Sequence, residues 1–163
     1  MIDKLPNLPS ELVTFALQHL KIVEADEHVK IDMFCWVKVP QTALTNEQYN
    51  FDSGVCQVCL AGAVMLGVFR DQTKQAFDAN KKYRQTVIPY ELLSFGVSES
   101  DYDKLSALNF LRVGYLSDAY TTLKRKRPDS MLPLRTVTAY EVNKERFYED
   151  MESLVDYLKK FGE

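Results

Sequence analysis

Apolar residues recur with a helical period in several stretches of the chain. Leu12, Phe15, Ala16, Leu20 and Val23 share one face behind Leu8-Pro9-Ser10-Glu11. A proline at the first helical position favours a helix there, over 10–24. Tyr102, Leu105, Leu108 and Leu111 form a second stripe after Ser98-Glu99-Ser100-Asp101, a capping-box-like start with an acid three residues after a serine. Gly114 ends or bends that helix, and Ser117-Asp118 begins a short one with Leu116, Ala119, Tyr120 and Leu123, so helical structure extends across 99–124. The clearest stripe is the last, Phe147, Met151, Leu154, Val155, Leu158 and Phe161. Acidic Glu145, Glu149 and Asp150 precede Lys159 and Lys160, the order the helix macrodipole favours, and Gly162 is a natural stop for a helix over 143–161.

The densest apolar run, from Val55 to Phe69, contains Cys56, Cys59, Gly62 and Gly67. Asp52 or Ser53 can cap a helix at its start, which predicts a buried central helix over 53–69. Cys59, Ala63 and Gly67 then fall four residues apart, a small-residue face against which another helix can pack closely. The 29–39 stretch is rich in β-branched and aromatic residues, alternates imperfectly, and is compatible with a strand or a short helical turn. The 41–51 and 70–86 stretches are polar, and Pro89 disfavours helix at Ile88. The expected fold is a mainly α-helical single domain, 1–163, built around the central buried helix, with room for one small strand pair.

Composition narrows the function classes without naming one. Apolar residues at 46% and charged residues at 26% are ordinary for a globular chain, and 163 residues can bury a real core. A net charge of -3 lacks the basic excess of a nucleic-acid module. The N-terminus has no basic region followed by an apolar run. The central run would span roughly 22 Å as a helix at 1.5 Å per residue, short of a ~30 Å hydrocarbon core. Three cysteines is an odd number for a disulfide framework, so a cytoplasmic protein with reduced thiols is expected.

Three chemistries are open to Cys56-x-x-Cys59. Cys56 in the first turn of a capped helix would have its thiolate favoured by the dipole, the state a nucleophile needs. The base for such a reaction is a histidine, and His19 and His28, the two in this chain, both precede the cysteines. A metal site would join Cys35, Cys56, Cys59 and His28, although the spacing fits no common zinc module. A thioredoxin-like pair needs a strand leading directly into the motif, where a loop is expected. Against these stands a packing role, with both cysteines as small buried residues. His19, beside the first stripe and without a ligand partner one turn away, is read as a boundary residue. The basic run Lys124, Arg125, Lys126 and Arg127 can contact a phosphate or an acidic partner, or simply solvate a helix end. Nine tyrosines mildly favour a recognition surface.

Asp32-Met33-x-x-Trp36, a polar gap and then Cys59-Leu60-Ala61-Gly62-Ala63 resemble a pattern in small uncharacterised proteins of bacteria and bacteriophages. Those read approximately Met-x-x-Trp, a variable loop, then Cys-Gly-Thr-x-x-Cys-Ile-Ala-Gly. Cys59 matches the second cysteine; Gly54 stands where the first would be, and Cys56 is displaced. The 105–114 segment is similar to phage-encoded relatives. The resemblance covers a minor part of the chain and implies a phage or mobile-element origin but no activity. The expectation is a non-enzymatic protein-interaction module, without cofactor, nucleic-acid or membrane partner. The alternative is a thiol-dependent enzyme or zinc-binding protein using Cys56 and Cys59.

Overall fold

The computed structural model describes residues 5–38, 55–68, 98–124 and 137–163. Within them lie helix α1 (Pro9–Glu24), strands β1 (Val29–Ile31), β2 (Val37–Lys38) and β3 (Cys56–Val58), and helices α2 (Leu60–Val68), α3 (Glu99–Leu111), α4 (Leu116–Leu123) and α5 (Lys144–Lys160). The fold is mainly α with a small mixed sheet. The strand order is β1-β3-β2, with β3 parallel to β1 and antiparallel to β2.

Local chemistry accounts for the helix ends. Pro9 opens α1, and the Leu12 N–H bonds to the Leu8 carbonyl at 2.9 Å, with no side-chain cap. Ser98 Oγ accepts the Asp101 N–H at 3.1 Å at the start of α3, and Asn143 Oδ1 accepts the Arg146 N–H at 2.9 Å at the start of α5. Gly114, at φ 84°, turns the chain from α3 into α4. The stripes of α1, α3 and α5 face the core as their periods require, with Leu12, Leu20, Leu105, Leu108, Phe147 and Met151 fully buried. Phe161 departs from its stripe: it caps α5, is 43% exposed, and stacks on Tyr157 at 4.9 Å.

The central helix is shorter than its apolar run. Cys56, Gln57 and Val58 are a strand, and the helix begins at Leu60, which corrects the helix expected over 53–69. A short apolar run is compatible with either structure, and neighbouring chain decides. Here β1 and β2 flank the segment, pairing Val29 with Cys56 and Val37 with Val58. The stretch expected at 29–39 resolves, over its described residues 29–38, into two strands joined by a turn. Asp32 Oδ1 accepts the Phe34 N–H at 3.0 Å, and the Asp32 carbonyl accepts the Cys35 N–H at 3.0 Å.

Helix α1 packs against α2 and α5, α2 also packs against α3, and α3 and α4 form a helical hairpin. Polar ties fix these contacts. Met33 N–H donates to Glu141 Oε1 at 2.5 Å, and the Tyr140 hydroxyl donates to Glu24. Buried Asp150 accepts the Thr138 N–H and hydroxyl at 2.9 and 2.8 Å and pairs with Arg146 Nε at 3.2 Å. Lys104 Nζ reaches the Leu5 carbonyl, Asn7 Oδ1 and Asp101 Oδ1 at 3.1, 3.1 and 3.3 Å, tying the leading segment to α3. The polar stretches at 41–51 and 70–86, Ile88 and Pro89, and the start of the helix expected at 53 lie outside the described residues.

Candidate functional site

The two cysteines of the Cys-x-x-Cys motif have different surroundings. Cys59 caps α2: its carbonyl accepts the Ala63 N–H at 2.8 Å, and its own N–H approaches the Trp36 carbonyl at 3.4 Å. Its Sγ lies 4.0 Å from the same oxygen. Burial pushes its thiol pKa up, outweighing the Gly62 and Ala61 N–H groups and Arg112, which act to lower it. Gly62 makes this junction: a Cβ there would sit 1.6 Å from Trp36 O. The backbone closest to α2 at this glycine is therefore the Trp36 carbonyl, in the bend just before β2. Met33, Trp36, Cys59 and Gly62, the residues of the resemblance, converge on the joint between the sheet and α2.

Cys56 belongs to β3, so it does not occupy a helix first turn, and no helix dipole acts on it as that reading required. It is 1% exposed at the wall of a cavity of about 280 Å³ between α1, α2 and the sheet. The same cavity is lined by His19, Asp26, His28 and Gly67, with Val23 and Leu66 among its apolar residues. Burial first, and the Asp26 carboxylate second, push the Cys56 thiol up to about 11 from its ordinary 9.0. The tertiary structure thus places both histidines on one cavity wall with Cys56, although they are far from it in sequence.

His19 is held from three sides. Its Nδ1 lies 3.0 Å from the Phe15 carbonyl, its ring centroid is 4.2 Å from that of Phe15, and it rests on Gly67. A Cβ at residue 67 would meet His19 Cδ2 at 2.1 Å and Nε2 at 2.6 Å. Gly67 is exposed, and glycine inside a helix costs roughly 0.5–1 kcal/mol relative to alanine. The boundary role expected for His19 omits this seat. The readable signal was an unexplained glycine in a helical apolar run, which marks a close neighbour.

The remaining candidates are dispersed. Cys35 sits in the β1–β2 turn, its Sγ 3.6 Å from Asp32 Oδ2, and burial followed by the Asp32 charge raises its pKa. Among the described residues no three His, Cys, Asp or Glu side chains are grouped to hold a metal ion, so Cys35, Cys56, Cys59 and His28 form no such cluster. Lys124 lines a shallow groove with Glu99, Asp103 and Lys104, so acids accompany the one described member of the basic run. Arg125, Lys126 and Arg127 lie outside the described residues. No described helix is long and apolar enough to cross a membrane.

An exposed aromatic and cationic surface lies where the β1–β2 turn meets the end of α3. Phe34 is 75% exposed, and the Arg112 guanidinium carbon stands 5.8 Å from its ring centroid. Phe110 and Tyr115, both exposed, pack edge to face at 6.5 Å around the same helix end. Sequence reading missed this surface because Phe34 and Arg112 share no period or motif.

Comparison of the chain with protein-family models, with curated proteins and with solved structures finds no match.

Proposed function

We propose that this protein is a non-enzymatic interaction module of the bacterial or phage-infected cytoplasm, docking a protein partner through Phe34, Phe110, Arg112 and Tyr115. The observation that carries the reading is the exposed Phe34 ring with Arg112 beside it. Aromatic residues and arginine dominate binding hot spots because they desolvate large areas and retain directional contacts. The phage setting rests on the resemblance at Met33, Trp36, Cys59 and Gly62. Thiol chemistry is less well supported, since burial holds Cys56 up at about 11 and disfavours the thiolate that a nucleophile or metal ligand needs.

The test compares tagged wild type, F34S, R112S and a remote surface variant, E152Q, in pull-downs from a bacterial lysate. A partner retained by wild type and E152Q but lost by F34S and R112S supports the surface. Identical capture by all four, stoichiometric zinc in the purified protein, or rapid alkylation of native Cys56 at neutral pH overturns the reading.

A further inference from the structure

The cavity beside His19 has a polar character its apolar lining conceals. The Phe15 carbonyl can only accept a hydrogen bond, so in the neutral ring Nδ1 carries the proton and Nε2 keeps a lone pair. Asp26 is exposed where it lines the cavity; its Oδ1 accepts the His28 N–H at 2.9 Å, and no described residue donates to Oδ2. The groups facing a guest thus include two acceptors, an imidazole nitrogen and a carboxylate oxygen, beside the Cys56 sulfur, apolar Val23 and Leu66, and the ring of His28, whose Nε2 lies 3.7 Å from Glu27 Oε1.

Gly67 makes room for this arrangement. An exposed helical position ordinarily takes alanine or a polar residue, each less costly there than glycine. Here it is glycine, and the space it frees holds the imidazole. The ring is stacked on Phe15 and hydrogen-bonded to the Phe15 carbonyl before any ligand arrives, and such preorganisation lowers the cost of binding. A metal ion is a poor match. It needs donors converging on one point at about 2.0–2.3 Å, and no three described side chains are so grouped.

We propose that this cavity binds a small organic ammonium ion: the charged nitrogen donates to Asp26 and His19 Nε2, and a short alkyl body lies against Val23 and Leu66. The site is independent of the Phe34–Arg112 surface, so either can fail without the other. The cavity of about 280 Å³ lies at the small end of ligand sites and limits the guest to a short amine.

Because the chain has two histidines, their ring C–H signals in proton NMR give a direct readout. The full chain is titrated with n-butylammonium, 1-butanol and butyrate, with H19Q identifying the His19 signals. Saturable shifts of those signals are expected with n-butylammonium, at an affinity about tenfold or more above that for butanol or butyrate, the worth of a charge-assisted hydrogen bond. D26N keeps Oδ1 for the His28 N–H and removes only the charge, so it retains the fold and weakens n-butylammonium binding about tenfold. G67A displaces the ring and abolishes the shifts. Equal binding of all three probes, no saturable shift, unchanged affinity in D26N, or stoichiometric Zn²⁺ binding that C56S removes overturns the proposal.

Discussion

At the scale of single residues, the two interior glycines of α2 have separate jobs with measurable consequences. Gly62 admits the Trp36 carbonyl, and a methyl group 1.6 Å from a backbone oxygen cannot be accommodated by a rotamer change. G62A is expected to destabilise the protein by about 3 kcal/mol or more, the upper range for overpacking, read as a fall in the urea midpoint. Gly67 faces a movable imidazole, so G67A should cost less than G62A while shifting the His19 resonances. The thiols make a third test. The Cys56 pKa is raised from 9.0 to about 11, so its neutral form belongs to the folded state. The associated stability is fully present below pH 9 and is lost as pH rises towards 11, because the unfolded chain ionises first. Denaturation midpoints measured from pH 8 to 11 should fall, and more shallowly in C56A. Native alkylation should reach Cys35, which is only partly buried, before Cys56 or Cys59.

At the scale of elements, α5 is held by buried polar groups as well as by its apolar stripe. Asp150, 5% exposed, satisfies both Thr138 donors and Arg146, joining the incoming segment to the helix. Removing it leaves the partly buried Thr138 donors unpaired and Arg146 Nε without its partner, so D150A should cost about 2–3 kcal/mol by urea denaturation. The exposed pair between Lys21 and Glu152, at 3.9 Å with both side chains more than half exposed, is the contrast. K21M should change stability by less than about 1 kcal/mol. Lys104 is intermediate: its ammonium serves three oxygens and is largely covered, so it fixes the 5–8 segment onto α3.

Across the described structure, the joint between β3 and α2 connects the sheet to α1 and α3. Its hydrogen bonds are also fully shielded: Val58, Cys59, Ala61 and Ala63 are completely buried. Amide exchange should therefore be slowest at Ala63, bonded to the Cys59 carbonyl, and at the β3 amides, and fastest at the exposed 141–143 turn. A hydrogen-exchange profile with the slowest amides in α5 would contradict this order. The cavity and the aromatic surface lie on different elements, α1 with Gly67 for one and the end of α3 for the other, so a ligand at either can be followed separately.

Local pattern alone determined a good deal. The stripes of α1, α3 and α5 were readable because a helical period with a capping Ser98, a Pro9 or a stop at Gly162 is self-contained information. The mainly α class follows from those stripes. What neighbouring chain decided was the central run, since Cys56–Val58 is strand only because β1 and β2 bring partners to both its edges. The candidate sites depended still more on tertiary structure. His19, Asp26, His28 and Cys56 meet in one cavity, and Phe34 meets Arg112, across separations that no spacing rule encodes. Periodicity reports which face of an element is apolar; which other element covers that face, and which polar groups are left at its edge, is settled only when the elements pack.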